Sequence, residues 1–204
     1  MQEDLEALVA ELRDTHGCHT IILYGSRARG DWTTESDYDV VGIRDRGPAF
    51  RDARPWRGTF LDAFVYPESA VTTASDERLH WLGGRVLTER GDLGRRLLAG
   101  LAAIEAAGPG PLAADDAATR HVWMRKMLDR VARGDLEAHY RRAWLQFQAL
   151  EDYFALRGLW YRGPKEAFAW LAVHDPETLA AFERALAPDA TLDALKAMVE
   201  RVAP

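Results

Sequence analysis

Between Tyr24 and Ile43 the chain reads YGSRARGDWTTESDYDVVGI, and no other stretch restricts its fold as much. The run His19 to Tyr24, HTIILY, is short and largely aliphatic, which suits a buried strand, and it stops at Gly25-Ser26. A glycine there lets a phosphate approach the backbone. Ser26 is placed to cap the short helix that RARG would begin, which turns its hydroxyl and the free N–H groups toward whatever sits in front. A ten-residue connection leads to Asp37-Tyr38-Asp39, followed by Val40, Val41, Gly42 and Ile43. Strand alternation sends Asp37 and Asp39 to one face, with Cα atoms ~6.6 Å apart on a regular strand. Two carboxylates so placed repel each other. The pair makes little sense as a structural device and good sense as a cradle for magnesium carrying substrate phosphates.

A third carboxylate is expected from a neighbouring strand. Thr59 to Tyr66, TFLDAFVY, is strongly strand-like, with Asp62 as its only charge. An aspartate within an apolar strand is costly to bury unless it is paired or binds metal, and taken alone Asp62 reads better as a residue on a solvated face. Together, Asp37, Asp39 and Asp62 form a set able to hold two divalent ions in an in-line displacement.

At these residues the chain resembles the nucleotidyltransferase superfamily that includes DNA polymerase beta, kanamycin nucleotidyltransferase and the minimal nucleotidyltransferases. The family pattern is Gly-Ser, a spacer of around ten residues, Asp-x-Asp and a single carboxylate on a later strand. It stands here as Gly25-Ser26, RARGDWTTES, Asp37-Tyr38-Asp39 and Asp62. The resemblance covers the first half of the chain. It implies transfer of a nucleoside monophosphate from an NTP to an acceptor, usually a hydroxyl, with release of pyrophosphate. The aspartates would be metal ligands, and Gly25 and Ser26 would hold the triphosphate. Arg27 and Arg29 either contact the same triphosphate or are surface charges. Magnesium is the expected cofactor, and ATP the expected nucleotide, with no base-contacting motif that fixes the choice.

Composition narrows the acceptor. A formal charge of −6 and a pI near 5.5 argue against a general nucleic-acid binder, which needs clustered Lys and Arg, and favour a cationic small molecule. The single cysteine, Cys18, excludes an internal disulfide and a cysteine-rich zinc site. The first residues, MQEDLEALVAEL, carry no basic region, and no apolar run approaches the ~18 residues of a membrane span, so a cytoplasmic location is expected.

Leu5, Leu8, Val9 and Leu12 predict an amphipathic helix over residues 3–15. Strands are predicted at 19–24, 38–44, 59–66 and 85–88, and a helix follows through Leu93, Leu97, Leu98 and Leu101. Residues 45–57, DRGPAFRDARPWR, read as a linker from their Arg, Gly and Pro content. The cluster Gly108-Pro109-Gly110-Pro111 is the best domain boundary, giving a catalytic domain over 1–108 and a helical domain over 112–204. Beyond it, start and stop signals predict five helices, with Asp135 as one N-cap and Gly163-Pro164 and Asp175-Pro176 as two further starts. The fold class expected is α/β (α+β), a small mixed sheet flanked by helices and followed by an all-helical bundle that closes one side of the cleft.

In the second of the five helices Tyr140, Trp144, Phe147 and Phe154 form an aromatic stripe on which Glu151 falls. Glu151 there suits a general base for the acceptor or a partner for an arginine of another helix. The stretch ALEDYFALRGLWYRGPKEAFAWL looks like the helical domain of kanamycin nucleotidyltransferase-like proteins, in which a Glu and a Lys reach the active site. That resemblance implies Glu151 as base and Lys165 as phosphate ligand, and a homodimer if the domain pairs as in those relatives. The expected function is therefore magnesium-dependent nucleotidyl transfer to the hydroxyl of an aminoglycoside-like compound, with Asp62 or Glu151 as base. The alternatives are an antitoxin-like protein that AMPylates a protein partner and a non-catalytic NTP-binding protein.

Overall fold

A computed structural model describes residues 2–203. The chain divides into two compact units, Met1–Ala107 and Gly108–Pro204. The first contains α1 (Gln2–His16), β1 (Cys18–Tyr24), α2 (Gly25–Arg29), β2 (Tyr38–Arg44), β3 (Phe50–Trp56), β4 (Thr59–Pro67), two single 3₁₀ segments, β5 (Arg85–Thr88) and α3 (Leu93–Ala107). The five strands form one mixed sheet in the order β3-β4-β2-β1-β5, with β2 and β4 parallel and every other pairing antiparallel.

Leu5, Leu8 and Leu12 recur at helical spacing and bury one face of α1 against Ile21, Leu23, Tyr38, Val40, Leu61, Ala63 and Val65. The alternate residues of those strands point to the opposite side of the sheet, which is therefore where Tyr24, Asp39 and Asp62 project. On that side Tyr66 meets the buried Trp81, with ring centroids 5.9 Å apart.

The segment expected to be a linker, 45–57, holds β3 instead. It is an edge strand, so one of its hydrogen-bonding rows stays unpaired and tolerates Pro55. Its outer face, Arg51, Ala53 and Pro55, is exposed, while Phe50, Asp52 and Arg54 are partly buried. Only Trp56 is fully inside, where its indole N–H donates to Glu11 of α1 at 2.8 Å and Arg54 pairs with the same carboxylate. An alternation made of charges and proline carries little hydrophobic signal.

The second unit consists of α4 (Ala114–Val131), α5 (Leu136–Leu156), α6 (Pro164–His174), α7 (Pro176–Leu186) and α8 (Leu192–Val202). Asp135 caps α5 by accepting from the amide of Ala138 at 2.8 Å, and Asp175 caps α7 by accepting from Thr178 at 3.1 Å. Met124, Met127, Leu145, Ala149, Tyr153, Phe182, Leu195 and Met198 fill the core. The stripe that α5 turns inward is thus Leu145, Ala149 and Tyr153. Of the aromatic stripe expected on it, Phe154 is buried, whereas Tyr140 is 70% and Phe147 66% exposed. A sheet unit followed by a helical unit is the α/β class expected. Among the described residues no helix is long and apolar enough to cross a membrane.

Candidate active site

Strand register builds the site. Tyr24 of β1 pairs with Asp39 of β2, Asp39 with Asp62 of β4, and Asp62 with Ala53 of β3. Residues directly opposed across a sheet share a face, so Asp39 and Asp62 stand side by side on neighbouring strands. Asp37 lies two residues before Asp39, just ahead of β2, and is exposed. The three aspartates therefore share one end of the sheet.

Their charges are felt there. Burial, together with the charges of Asp37 and Asp62, pushes the Asp39 carboxyl up to about 6, against the weaker opposing pull of Arg29 and Arg27. The phenol of Tyr24 is raised by burial and then by Asp39 and Asp62. This is a concentration of negative charge with too little cation nearby. Gly25 begins α2 with φ +69°, and a Cβ built on it would stand 2.1 Å from Oδ2 of Asp39, so backbone and carboxylate touch across the turn.

The residues between are arranged differently from expectation. Tyr24 takes the N-cap position of α2 and no side chain caps it, so Ser26 is inside the first turn and is not the cap. Arg27 is 7% exposed, with Nε donating to the carbonyls of Ser36 (2.9 Å) and Asp37 (3.1 Å) and its guanidinium 3.9 Å from the centre of the Tyr38 ring. Its donors clamp the connection that delivers Asp37, which is a positioning role. Arg29 lies at the solvent side and pairs with Asp31 at 3.4 Å.

Asp62 has a partner that its sequence context did not reveal. Arg51 of β3 grips it with both arms, Nε to Oδ1 at 2.6 Å and Nη2 to Oδ2 at 2.7 Å. The period-two pattern of residues 50–56 was the available signal, since it puts Arg51 on the face of Asp62 once the segment is a strand. Glu151 and Lys165 belong to the second unit. Glu151 is partly buried on α5, near Tyr161, whose phenol is raised by burial and by the Glu151 charge. Lys165 is exposed in the first turn of α6.

An all-oxygen donor set beside a touching glycine would suit a hard divalent cation. Among the described residues, however, the one group whose ligand atoms all lie within 4.8 Å of one another is His19, Asp45 and Glu68. The ligand atoms of Asp37, Asp39 and Asp62 do not all lie within that distance of one another. The His19 group lies at the opposite end of the same strands, with Glu68 and Asp45 just past the ends of β4 and β2. Arg90 already supplies the cation, pairing with both Asp45 and Glu68.

Residues 5–72 match the family model for the nucleotidyltransferase domain. That span holds Gly25, Ser26, Asp37, Asp39 and Asp62. Among solved structures, a nucleotidyltransferase-like protein from Exiguobacterium sibiricum 255-15 aligns over 97% of this chain and 72% of its own, at 13% identity and a TM-score of 0.45. No curated protein matches the chain.

Proposed function

We propose, for a chain whose residues 5–72 form a nucleotidyltransferase domain, a magnesium-dependent transfer of a nucleoside monophosphate from an NTP, with ATP the first candidate, to the hydroxyl of a small cationic acceptor. The observation that carries this is Asp39: a carboxyl raised to about 6 by burial and by its neighbours Asp37 and Asp62, in contact with the glycine turn. Asp37, Asp39 and Asp62 would hold the metal, which when bound would neutralise phosphate charge and favour ionisation of the acceptor. Gly25 and Ser26 open the turn where the triphosphate would lie, and Arg29 and Lys165 are further candidates for its charge.

In the reaction the acceptor oxygen bonds to the α-phosphorus, the bond from that phosphorus to the bridging oxygen breaks, and pyrophosphate departs. The acceptor proton passes to Asp62 or to Glu151. For Asp62 to serve as ligand or base, Arg51 must release at least one of its oxygens, because both are engaged. The acidic balance of the chain supports a cationic acceptor of the aminoglycoside kind. A protein acceptor, as in an antitoxin-like pair, is favoured by the exposed Leu136, Tyr140 and Phe147 on α5.

Pyrophosphate release from each NTP, with magnesium and with a panel of aminoglycosides or cell protein, tests the reading. Release that requires an acceptor and disappears in Asp37→Asn and Asp39→Asn is expected. Turnover retained in both variants would overturn it, and NTP binding without release from any acceptor would indicate a binding protein instead.

A further inference from the structure

Once Asp62 turns to a metal ion or to the acceptor proton, its partner Arg51 is left with a charge and no anion. Nε and Nη2 of Arg51 donate to Oδ1 and Oδ2 of Asp62 at 2.6 and 2.7 Å. The grip is close but not enclosed: the Arg51 side chain, on the edge strand β3, is 55% exposed, against 17% for Asp62. With one partner more than half in solvent, the pair contributes little to stability, so the packing of the sheet does not demand it.

Arg51 is opposite Phe64 in the register of β3 and β4, and its guanidinium lies 5.1 Å from the centre of that ring. The side chain therefore rests on an aromatic face while its head stays in water, and it can turn from one anion to another without unpacking the fold. The planar fork that matches a carboxylate also matches two oxygens of a phosphate. Strand order sets Asp62 beside Asp39 and Asp39 beside Tyr24, the residue before the Gly25 turn. The Arg51 charge is felt that far, since it opposes the rise of the Tyr24 phenol caused by burial, Asp39 and Asp62. The other arginines near the turn are committed: Arg27 to the carbonyls of Ser36 and Asp37, and Arg29 to Asp31.

On the proposed nucleotidyl transfer, we infer that Arg51 is a phosphate-binding residue that exchanges partners: it neutralises Asp62 until a metal-bound NTP arrives, then passes its fork from that carboxylate to phosphate oxygens of the nucleotide. Asp62 is thereby freed as ligand or base when the nucleotide is held, and not before.

The exchange gives Arg51 opposite effects on two ligands, and the full chain is titrated with each. Manganese alone, followed by its electron paramagnetic resonance, competes with Arg51 for Asp62, so Arg51→Ala should bind it a few-fold tighter, the scale of an exposed ion pair. Manganese–ATP, followed by calorimetry, draws on Arg51 as a phosphate ligand. The same variant should bind it severalfold weaker, because a lost charge-assisted hydrogen bond outweighs a freed exposed pair. Should Arg51→Ala fail to fold by circular dichroism, Arg51→Gln, which keeps a stem to rest on Phe64, decides, and the same two signs are expected. Both ligands tighter would make Arg51 a competitor only, both weaker a scaffold only, and manganese–ATP unchanged would leave it no phosphate; each result overturns the assigned role. If the wild-type chain takes up no manganese–ATP, or if Asp39→Asn takes it up equally well, the transfer reading itself fails and the role of Arg51 with it.

Discussion

The two ends of the central strands carry two carboxylate clusters with opposite electrostatics. At one end Asp45 and Glu68 share Arg90, and hydrogen bonds from that arginine hold Asp45 below the usual carboxylate range. At the other, Arg51 grips Asp62, and Asp39 is raised to about 6. The first cluster has its ligand atoms closer together, and its two carboxylates share one arginine. The second is looser and short of positive charge. The carboxyls at the two ends are therefore displaced in opposite directions, Asp39 upward by burial and like charge and Asp45 downward by Arg90.

The comparison breaks most readily at Asp39. Asp39→Asn should reduce transfer by about a thousandfold or more, while the metal-free protein becomes more stable. The sign follows from the raised carboxyl: the wild type has its full share of stability below the ordinary value of 3.8 and loses it as pH rises through about 6. Thermal melts without metal should therefore show the variant ahead by about 1–3 kcal/mol above that pH and level with the wild type well below it. A variant less stable than wild type at neutral pH would mean that Asp39 is already compensated.

Asp175 of the second unit gives the contrasting case. Burial opposes its ionisation, but hydrogen bonds from Thr178 and Tyr153 and the charge of Arg201 outweigh that and bring it to about 2. Its contribution is present above 3.8 and lost as pH falls through about 2. Asp175→Ala should cost about 1–2 kcal/mol at neutral pH, the scale of a lost helix cap, and the deficit should shrink on acidification. A deficit independent of pH would point to packing alone.

Arg90→Ala sharpens the contrast by making one end resemble the other. Asp45 should then titrate above its wild-type position in a carbon-detected NMR titration, with little change in stability, as for an exposed pair. The smallest effect is expected for Arg51→Ala. Freed of its partner, Asp62 should improve binding of manganese, used as a paramagnetic stand-in, by a few-fold, on the scale of an exposed ion pair. Weaker manganese binding would show that Arg51 organises the site and does not compete for it.

Much of this was legible in the sequence because the signals were local. Runs of aliphatic residues ended at glycines, and Asp135 and Asp175 announced their helices by capping them. The mixed-sheet unit and helical unit follow from those patterns. What escaped was decided by partners distant in the chain. β3 is held by α1 and β4, so its own residues carry no hydrophobic run. Arg27 read either as a triphosphate contact or as a surface charge, but Tyr38 and the carbonyls of Ser36 and Asp37 hold it. On α5 two apolar stripes compete, and period alone does not say that Leu145 and Ala149 go inward while Tyr140 and Phe147 stay out.

The contact between Gly25 and Asp39 offers a way to silence the protein by shape alone. A methyl group at position 25 would have to occupy space held by Oδ2 of Asp39, and the backbone there already has a φ that side chains resist. Gly25→Ala would leave every acid and base in the chain intact, with the same isoelectric point and the same surface. In cells it would act as a matched blank, present but mute, against which effects of the chemistry can be told apart from effects of the protein merely being there.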